Sequence, residues 1–285
     1  MIVDGPAAGQ HAPEAPAARR RPGHTRPVTP SGPARLSEVA PGVWVAQSRF
    51  FRQNSTVVLD GRGGALVVDP AYYADELAAI PPDLEALGVR AVAGLATHRH
   101  YDHVLWHPDL GDVPRWATPG TVRAAEEHRE EVVGPLRRDL PDDLVDLAGR
   151  LAPIDGEVVA WSGPTAVVHV HHAHAPHHLA LELPELGLLL AGDMLSDVEL
   201  PMPDDADTDL VAYRTGLESL EEVVRRCRVV VPGHGSVSDD PLARWAADVA
   251  YLDDLERAGD SEDGRIGLDG MAELHADNRG RASRR

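Results

Sequence analysis

The chain has little cysteine, no lysine and no long apolar run. One thiol cannot form an internal disulfide, so Cys227 is expected to be a small buried residue beside a strand. The uninterrupted apolar stretches fall far short of the ~20 residues that cross a bilayer. The N-terminus lacks the apolar segment of a secretory signal. These absences predict a cytoplasmic protein that does not associate with a membrane.

Positive charge is also scarce. All 27 basic residues are arginine, and the formal net charge is −19. Nucleic-acid binding requires a basic face that displaces counterions from phosphates. Only the two ends of the chain are locally basic, at ARRRPGHTR and NRGRASRR. The charge balance therefore predicts a small-molecule substrate and no nucleic-acid partner, and it gives no indication of oligomeric state.

The length and composition fit one catalytic domain with tails. The chain has 285 residues and is 43% hydrophobic, which is enough to bury a full core. Residues 1–34 are rich in Pro, Ala, Gly and Arg without apolar periodicity, which predicts a disordered leader. We expect the catalytic domain to span 35–258. Residues 259–285 are predicted to form a linker, a short helix around GMAELHA and a basic tail.

The order of predicted elements indicates an α/β protein. Apolar patterns favour strands at GVWVAQ, NSTVVLD, GALVVDP and VRAVAGLAT, with helices at 72–80 and 118–138. Further strands are predicted at EVVAW, TAVVHVHH, HLALELP and LGLLLAGD. They are followed by a helix whose apolar face includes Tyr213, the strand RVVVPG and a last amphipathic helix. Strands, helices, strands and helices in this order predict two packed sheets with helices outside.

Residues of the kind that bind metals follow four of these strands. The segments are THRHYDH (97–103), HVHHAHAPHH (169–178), LLLAGDM (188–194) and VVVPGHG (229–235). Open sheets bind ligands at the ends of their strands. Neutral imidazoles and carboxylates are the ligands that suit zinc. The pattern therefore predicts a metal site assembled from four separate parts of the chain.

In order and context, these four segments resemble the metallo-β-lactamase-fold hydrolase superfamily, over residues 40 to 258 and with a ligand set like that of its glyoxalase II and lactonase members. The resemblance implies an αββα sandwich of two mixed β-sheets with helices on the outer faces, and a binuclear metal site along the sheet edges. It also implies a buried supporting aspartate, Asp69. The ligands that it implies are His98 and His100 for the first metal, Asp102, His103 and His234 for the second, and Asp193 as the bridge.

The third segment departs from the family pattern. Members read close to PGHTPGH, whereas this chain reads HAHAPHH. Aligning Pro176 with the second proline makes His174 the ligand and His178 a neighbouring residue that supports the site, with His172 as the alternative ligand. The remaining histidines are expected on a strand face or at the surface: His169, His171 and His177.

Two metal ions a few ångströms apart can hold a hydroxide between them and lower the pKa of water from 15.7 towards about 7. We expect two zinc ions per chain, with iron or manganese as alternatives, and Asp102 and Asp193 as the catalytic carboxylates. The first hypothesis is that the hydroxide attacks the carbonyl of a carboxylic ester, thioester or lactone. The alternatives are a phosphodiesterase, an iron-dependent enzyme like the persulfide dioxygenases, and a non-catalytic metal-binding protein.

Several observations separate these hypotheses. The acidic stretch 196–209 would repel a polyanion, which disfavours phosphodiesters. Members that are first-class zinc β-lactamases carry a Cys ligand at the position of Asp193 and a nearby Lys for the drug carboxylate, and this chain has neither. His100 stands where flavodiiron members carry a glutamate. An intact ligand set argues against a non-catalytic role.

Other polar and aromatic residues are assigned no ligand role. Trp106 and His107 are candidates either for lining the pocket or for packing within a loop, and Tyr101 is expected to pack. Tyr213 is expected in the core. His128 and His275 lie in helical patterns without partners and are expected at the surface.

Overall fold

The computed structural model describes residues 35–203 and 208–284. The predicted leader at 1–34 lies outside the described residues. Within those two ranges, no helix is both long and apolar enough to cross a membrane.

Seven strands of the described chain form the larger sheet, and they follow each other in sequence order. They are β1 (Ser37–Ala40), β2 (Val43–Gln47), β3 (Asn54–Leu59), β4 (Gly64–Val68), β5 (Arg90–Leu95), β6 (Arg115–Ala117) and β7 (Ala152–Pro153). β1 to β4 pair antiparallel, and β4 to β7 pair parallel. Because β4 and β5 are parallel, Asp69 and Thr97 leave the sheet at the same edge.

The smaller sheet contains four strands within the same residue ranges. They are β8 (Val167–His171), β9 (His178–Leu183), β10 (Leu188–Gly192) and β11 (Val229–Pro232), in the order β11-β10-β9-β8. β10 and β11 are parallel, whereas the other two pairs are antiparallel. The parallel pair brings the residues after Gly192 and Pro232 to one edge.

Helices cover the outer face of each sheet. The larger sheet carries α1 (Ala74–Leu77), α2 (Ile80–Ala86), α3 (Pro119–Glu127), α4 (Arg129–Val133) and α5 (Asp142–Leu147), and the smaller sheet carries α6 (Leu210–Arg226), α7 (Pro241–Ala258) and α8 (Met271–Ala282). Along β4, Val67 belongs to the outer apolar cluster that includes helix residues, whereas Leu66 belongs to the inner cluster that includes Leu181 of the other sheet. A strand buried on both faces needs such a continuous apolar run. The predicted αββα sandwich of two mixed sheets is confirmed.

Several element boundaries differ from the predictions. The strand predicted at EVVAW makes only a single bridge, between Val158 and Val167. β1, β6 and β7 were not predicted, because strands of two to four residues are too short to show periodicity. The predicted helix at 118–138 is divided at His128, whose ψ of 34° is not helical. The predicted helix at 72–80 ends early, and α2 begins just before a Pro-Pro pair that suits a helix N-terminus.

The C-terminal segment packs onto the domain, and one prediction made for it is wrong. α8 contacts both α6 and α7. His275 is buried rather than exposed, with Nδ1 3.0 Å from the Tyr251 hydroxyl and Nε2 2.8 Å from Asp260 Oδ1. The predicted burial of Tyr213 and Cys227 is confirmed, and His128 is exposed as predicted.

Candidate metal centre

Asp69 holds the first motif, residues 97–103, in position through hydrogen bonds. It follows β4 in the left-handed region, at φ +48°. Its Oδ1 accepts a hydrogen bond from the Thr97 N–H at 2.9 Å, and its Oδ2 accepts one from the Thr97 hydroxyl at 2.7 Å. The same Oδ2 lies 3.0 Å from His103 Nδ1, so the imidazole donates to it. A ring held at Nδ1 in this way presents its Nε2 lone pair to the opposite side.

The seven residues predicted as ligands come together in two groups. Within each group, the potential ligand atoms lie within 4.8 Å of one another. The first group contains His98, His100, His174 and Asp193, and the second contains Asp102, His103 and His234. Binding of metal by these residues stays a prediction, but the convergence that it requires is present.

In the first group, three imidazoles surround one carboxylate oxygen. His100 Nδ1 lies 3.0 Å from both His98 Nε2 and His174 Nε2. Asp193 Oδ2 lies 3.4 Å from each of those two Nε2 atoms. The site thus offers three nitrogens and one oxygen, which is the number that a tetrahedral ion uses.

The second group is compact and shares the Asp193 carboxylate. His103 Nε2 and His234 Nε2 are 3.3 Å apart, and Asp102 Oδ2 lies 3.4 and 3.3 Å from them, respectively. Asp193 Oδ1 is 3.2 Å from His103 Nε2, and Asp193 Oδ2 is 3.6 Å from His234 Nε2. Asp193 therefore reaches both groups, as a bridging carboxylate must.

The ring nitrogens that face away from the centre have acceptors. His174 Nδ1 donates to the Met202 carbonyl at 2.8 Å, and His234 Nδ1 donates to the Phe51 carbonyl at 3.0 Å. His98 Nδ1 lies 3.0 Å from the Thr97 hydroxyl, whose own proton goes to Asp69. These partners fix the tautomer that leaves Nε2 available as a ligand atom.

Two glycines and a histidine determine where Asp193 lies. Its N–H donates to His178 Nε2 at 3.2 Å. Gly192 has a φ of +55°, which favours glycine, and a Cβ there would stand 2.4 Å from the His178 ring. A Cβ on Gly233 would stand 1.9 Å from Asp193 Oδ1. The bare backbone at 192 and 233 therefore makes room for the carboxylate.

The charge state of the centre suits a cation. Burial alone would raise the pKa of Asp193, but His103, His234 and His98 hold it well below its usual range. Burial alone would lower the pKa of His103, yet Asp193, Asp102 and Asp69 hold it well above its usual range. Asp193 Oδ1 is buried and lies 3.2 Å from His103 Nε2. In the metal-free chain a protonated His103 is the positive neighbour of this carboxylate, and a divalent ion bound by the same nitrogen would take the place of its proton.

The sequence comparison agrees with this geometry. The family model of the metallo-beta-lactamase superfamily matches residues 49–234, which include all seven residues. The chain belongs to the metallo-beta-lactamase superfamily. A relative among characterised proteins is the hydroxyacylglutathione hydrolase GloC of Haemophilus influenzae, which is 25% identical over 193 residues, covering 65% of this chain and 87% of the relative.

Solved structures show the same fold at low identity. A metallo-beta-lactamase from Pontibacter korlensis has a TM-score of 0.61 at 17% identity, covering 76% of this chain and 98% of the other. A metallo-beta-lactamase family protein from Thermus thermophilus has a TM-score of 0.61 at 22% identity, covering 78% and 83%. The sec-alkylsulfatase Pisa1 from Pseudomonas sp. has a TM-score of 0.60 at 19% identity, covering 79% of this chain and 42% of the sulfatase.

The third segment, 169–178, departs from the superfamily pattern. Within it, His174 lies in the centre and His172 lies outside it. His172 is exposed and lines a separate groove with Asp209 and Ala212. His178 supports Asp193, as described above. The other three histidines of the segment have partners elsewhere: His169 Nε2 lies 2.8 Å from Glu182, His171 Nε2 lies 3.1 Å from His178 Nδ1, and the His177 carbonyl accepts from Thr118 and Thr121.

Sequence reasoning missed residues that support the centre. Gln53 donates from Nε2 to the backbone carbonyl of Asp102 and accepts the Tyr72 N–H at 3.1 Å, so one carboxamide joins three segments. The polar pair QN at the start of β3, where apolar residues are common, was the available indication. Trp106 packs in the core and donates to the Gly111 carbonyl, so it does not line the pocket.

A pocket of about 280 Å³ lies over the centre. Its floor includes His100, His174 and Asp193, and its wall includes Phe50, Phe51, Tyr101, Glu199, Met202, Asp269 and Met271. Tyr101 packs against Phe50 and Tyr72 while also reaching the pocket. Burial raises the pKa of Glu199 to about 7, and the nearby carboxylates of Asp193 and Asp102 add to the shift although His234 opposes it.

Proposed function

We propose that this superfamily member is a binuclear metal-dependent hydrolase, with two zinc ions per chain, that cleaves a carboxylic ester, thioester or lactone of a small molecule. The observation that carries the proposal is the position of Asp193. Its carboxylate lies between two imidazole groups, within 3.6 Å of nitrogens in both. Iron and manganese are the alternative ions.

His98, His100 and His174 would hold one ion, and Asp102, His103 and His234 the other, with Asp193 shared. Two bound divalent ions acidify water and polarise a carbonyl oxygen. The chain supplies rigidity, because the outer nitrogens of His103, His174 and His234 are fixed by Asp69, Met202 and Phe51. Preorganised ligands of this kind need no rearrangement when the reaction occurs.

The acyl substrate class has independent support. The relative in Haemophilus influenzae is named as a hydrolase of hydroxyacylglutathione. A β-lactam substrate is disfavoured, because Asp193 replaces the Cys ligand of zinc β-lactamases and the chain has no lysine for the drug carboxylate. A pocket of about 280 Å³ suits a small molecule.

A phosphodiester is the second candidate, since two metals also suit in-line displacement at phosphorus. The acidic pocket wall opposes binding of a phosphodiester.

For the same reason we propose that the protein has no nucleic-acid partner. We also propose a cytoplasmic location without a membrane partner. A gel-shift titration with single- and double-stranded DNA at physiological salt tests the first point, and binding in the micromolar range or tighter would contradict it.

The test combines metal analysis with a substrate panel. We expect the purified full chain to bind two equivalents of zinc and to hydrolyse at least one of an aryl ester, a thioester and a lactone faster than a bis-aryl phosphate. Asp193→Asn, which keeps the shape but removes the charge, is expected to lose at least about 100-fold in turnover. One equivalent that persists in excess zinc contradicts the binuclear site, and turnover of the phosphate alone favours the second candidate.

A further inference from the structure

We propose that the substrate carries a positively charged ammonium group, which lies between the Glu199 carboxylate and the aromatic rim of Phe51 and Tyr101 while its acyl carbon lies over the metal centre. The inference rests on the proposed function and narrows it to cationic esters or thioesters. It follows from the charge and chemistry of the pocket wall.

The pocket wall carries acidic side chains in addition to those assigned to the metal centre. Outside the seven proposed ligands, two carboxylates line it, Glu199 and Asp269. Neither an arginine nor a lysine lines it in the described part of the chain. Away from the metal centre, the described pocket wall therefore lacks the side chains that commonly pair with carboxylates and phosphates.

Neighbouring arginines have carboxylate, hydroxyl or amide partners outside the pocket. The Arg265 guanidinium donates to Asp248 at 2.6 Å and to Asp263 at 2.8 Å, and it is buried there. Arg52, next to Phe51 in sequence, donates to Ser236 at 2.6 Å and to Gln47 at 3.2 Å. Moving either one into the pocket would break these bonds, and for Arg265 it would leave a buried carboxylate unpaired.

Glu199 is fixed in position, but its carboxylate is available. Its N–H donates to the Ser196 hydroxyl at 3.0 Å, and its carbonyl accepts from Arg265 at 2.9 Å. The carboxylate approaches His234 Nδ1 only to 3.9 Å, because that nitrogen donates to the Phe51 carbonyl at 3.0 Å. Among the described residues, the Glu199 carboxylate has no hydrogen-bond partner, and its side chain is 14% exposed.

Aromatic residues line the same pocket as this carboxylate. The two phenylalanines of the chain are consecutive, and both line the pocket. The Phe51 carbonyl and the Glu199 carboxylate approach the same His234 nitrogen, so these two residues are neighbours. Phe51 is 62% exposed at the pocket mouth, and the rings of Tyr101 and Phe50 form a T-shaped pair with centroids 6.0 Å apart. Ring faces attract ammonium groups, most strongly where water is excluded.

The N-terminus of α8 at the pocket mouth would attract anions, but neighbouring acidic residues outweigh its effect. Gly270 and Met271 line the pocket at the N-terminus of α8, where the helix dipole places about half a positive charge. Asp269 precedes this helix, and Glu273 lies in its first turn, so two full negative charges flank the same end. The net charge of −19 also favours the approach of cations.

The experiment compares three thioesters of similar size on the zinc-loaded full chain. Acetylthiocholine is cationic, S-(3,3-dimethylbutyl) thioacetate is its neutral isostere, and S-acetyl-3-mercaptopropionate is anionic. We expect kcat/KM to be at least about tenfold higher for the cationic thioester than for the neutral one, and lowest for the anionic one. Glu199→Gln should reduce the cationic-to-neutral ratio to about one.

Two further variants isolate the cause. Glu218→Gln removes the same charge from an exposed position of α6 and should leave the ratio unchanged, which controls for net charge. Asp269→Asn, at an exposed position of the mouth, should lower the ratio by a smaller factor and provides a second test if Glu199→Gln does not fold. If Glu199 only supported His234, its replacement would slow both thioesters equally and leave the ratio unchanged.

A binding measurement separates failure of this inference from failure of the proposed function. Benzyltrimethylammonium is titrated into the zinc-loaded chain by calorimetry, and we expect Glu199-dependent binding. Equal turnover of the neutral and cationic thioesters, or faster turnover of the anionic one, overturns the inference and leaves the hydrolase intact. If no thioester is cleaved, the proposed function is wrong for thioesters. In that case, Glu199-dependent binding of benzyltrimethylammonium supports the ammonium site, and its absence contradicts it.

Discussion

The backbone N–H of Asp193 donates to His178 Nε2 at 3.2 Å, so a buried imidazole holds the carboxylate that both halves of the centre share. The His178 side chain contacts no other ligand by a hydrogen bond among the described residues; its Nδ1 lies 3.1 Å from His171. Its ring also packs against that of His98, with centroids 4.8 Å apart, so His178 supports the centre both through the Asp193 N–H and by packing.

We expect His178→Ala to weaken zinc binding by about 10- to 100-fold, the range typical when a partner of a metal ligand is removed. His178→Gln should recover part of the loss, because a carboxamide oxygen can accept the Asp193 N–H. Competition with a chromophoric chelator measures both. His169→Ala, whose ring contacts Glu182 instead, is the matched control. Wild-type affinity in His178→Ala would show that the bond to Asp193 is dispensable.

His174→Ala should lose one equivalent of zinc and most activity, because it removes one of three nitrogens around Asp193 Oδ2. His172→Ala, two residues away but exposed, should retain both. Elemental analysis of the two purified variants decides the matter. If His172→Ala loses zinc and His174→Ala keeps it, then His172 rather than His174 is the ligand.

Gly233→Ala should disrupt the centre although it replaces none of the seven proposed ligands. The added methyl group would stand 1.9 Å from Asp193 Oδ1, so the carboxylate or the strand end must move. We expect at least about a tenfold loss of zinc affinity and a lower Tm. Gly264→Ala is the control, because no atom lies within 4 Å of a Cβ there. Unchanged affinity in Gly233→Ala would mean that the bridging carboxylate tolerates displacement.

Zinc binding should release protons near neutral pH. In the metal-free chain, the carboxylates around His103 hold its pKa well above the usual range, and those around His234 raise its pKa to about 10, in both cases against the effect of burial. Both rings are therefore protonated at pH 7.5 and must become neutral to bind zinc. Affinity should rise with pH, with up to two protons released from these rings. Calorimetry in buffers of different ionisation enthalpy measures the number, and a value of zero would contradict the assignment.

The fold could be predicted because its determinants are local. Apolar runs such as LGLLLAGD mark buried strands, and the order of four strand-end motifs restricts the topology. β7 has only two residues, and its pairing depends on β6 beside it rather than on its own sequence. The burial of His275 depends on α8 packing onto α7, which no pattern within residues 259–285 indicates.

The same distinction applies to the candidate site. Residues such as His98 and His103 lie within one short motif, so their convergence follows from spacing. Glu199 and Gln53 reach the centre through contacts with segments that are 35 to 49 residues away in sequence, His234 and Asp102 respectively. Their residue types are ordinary for loops, and only the folded chain shows what they touch.

Phe51 adopts a φ of +45° in the turn between β2 and β3, a conformation that costs an L-residue about 1 to 2 kcal/mol. Glycine would relieve that strain at an entropic cost of about 0.5 to 1 kcal/mol. The exchange would also remove the contact between the rings of Phe51 and Phe50, whose centroids are 4.8 Å apart. That contact contributes about 0.5 to 1.5 kcal/mol, so the net change in the free energy of unfolding is small. A library randomised at position 51 and selected for heat resistance would accept glycine, whereas selection for growth on a cationic ester would retain the ring.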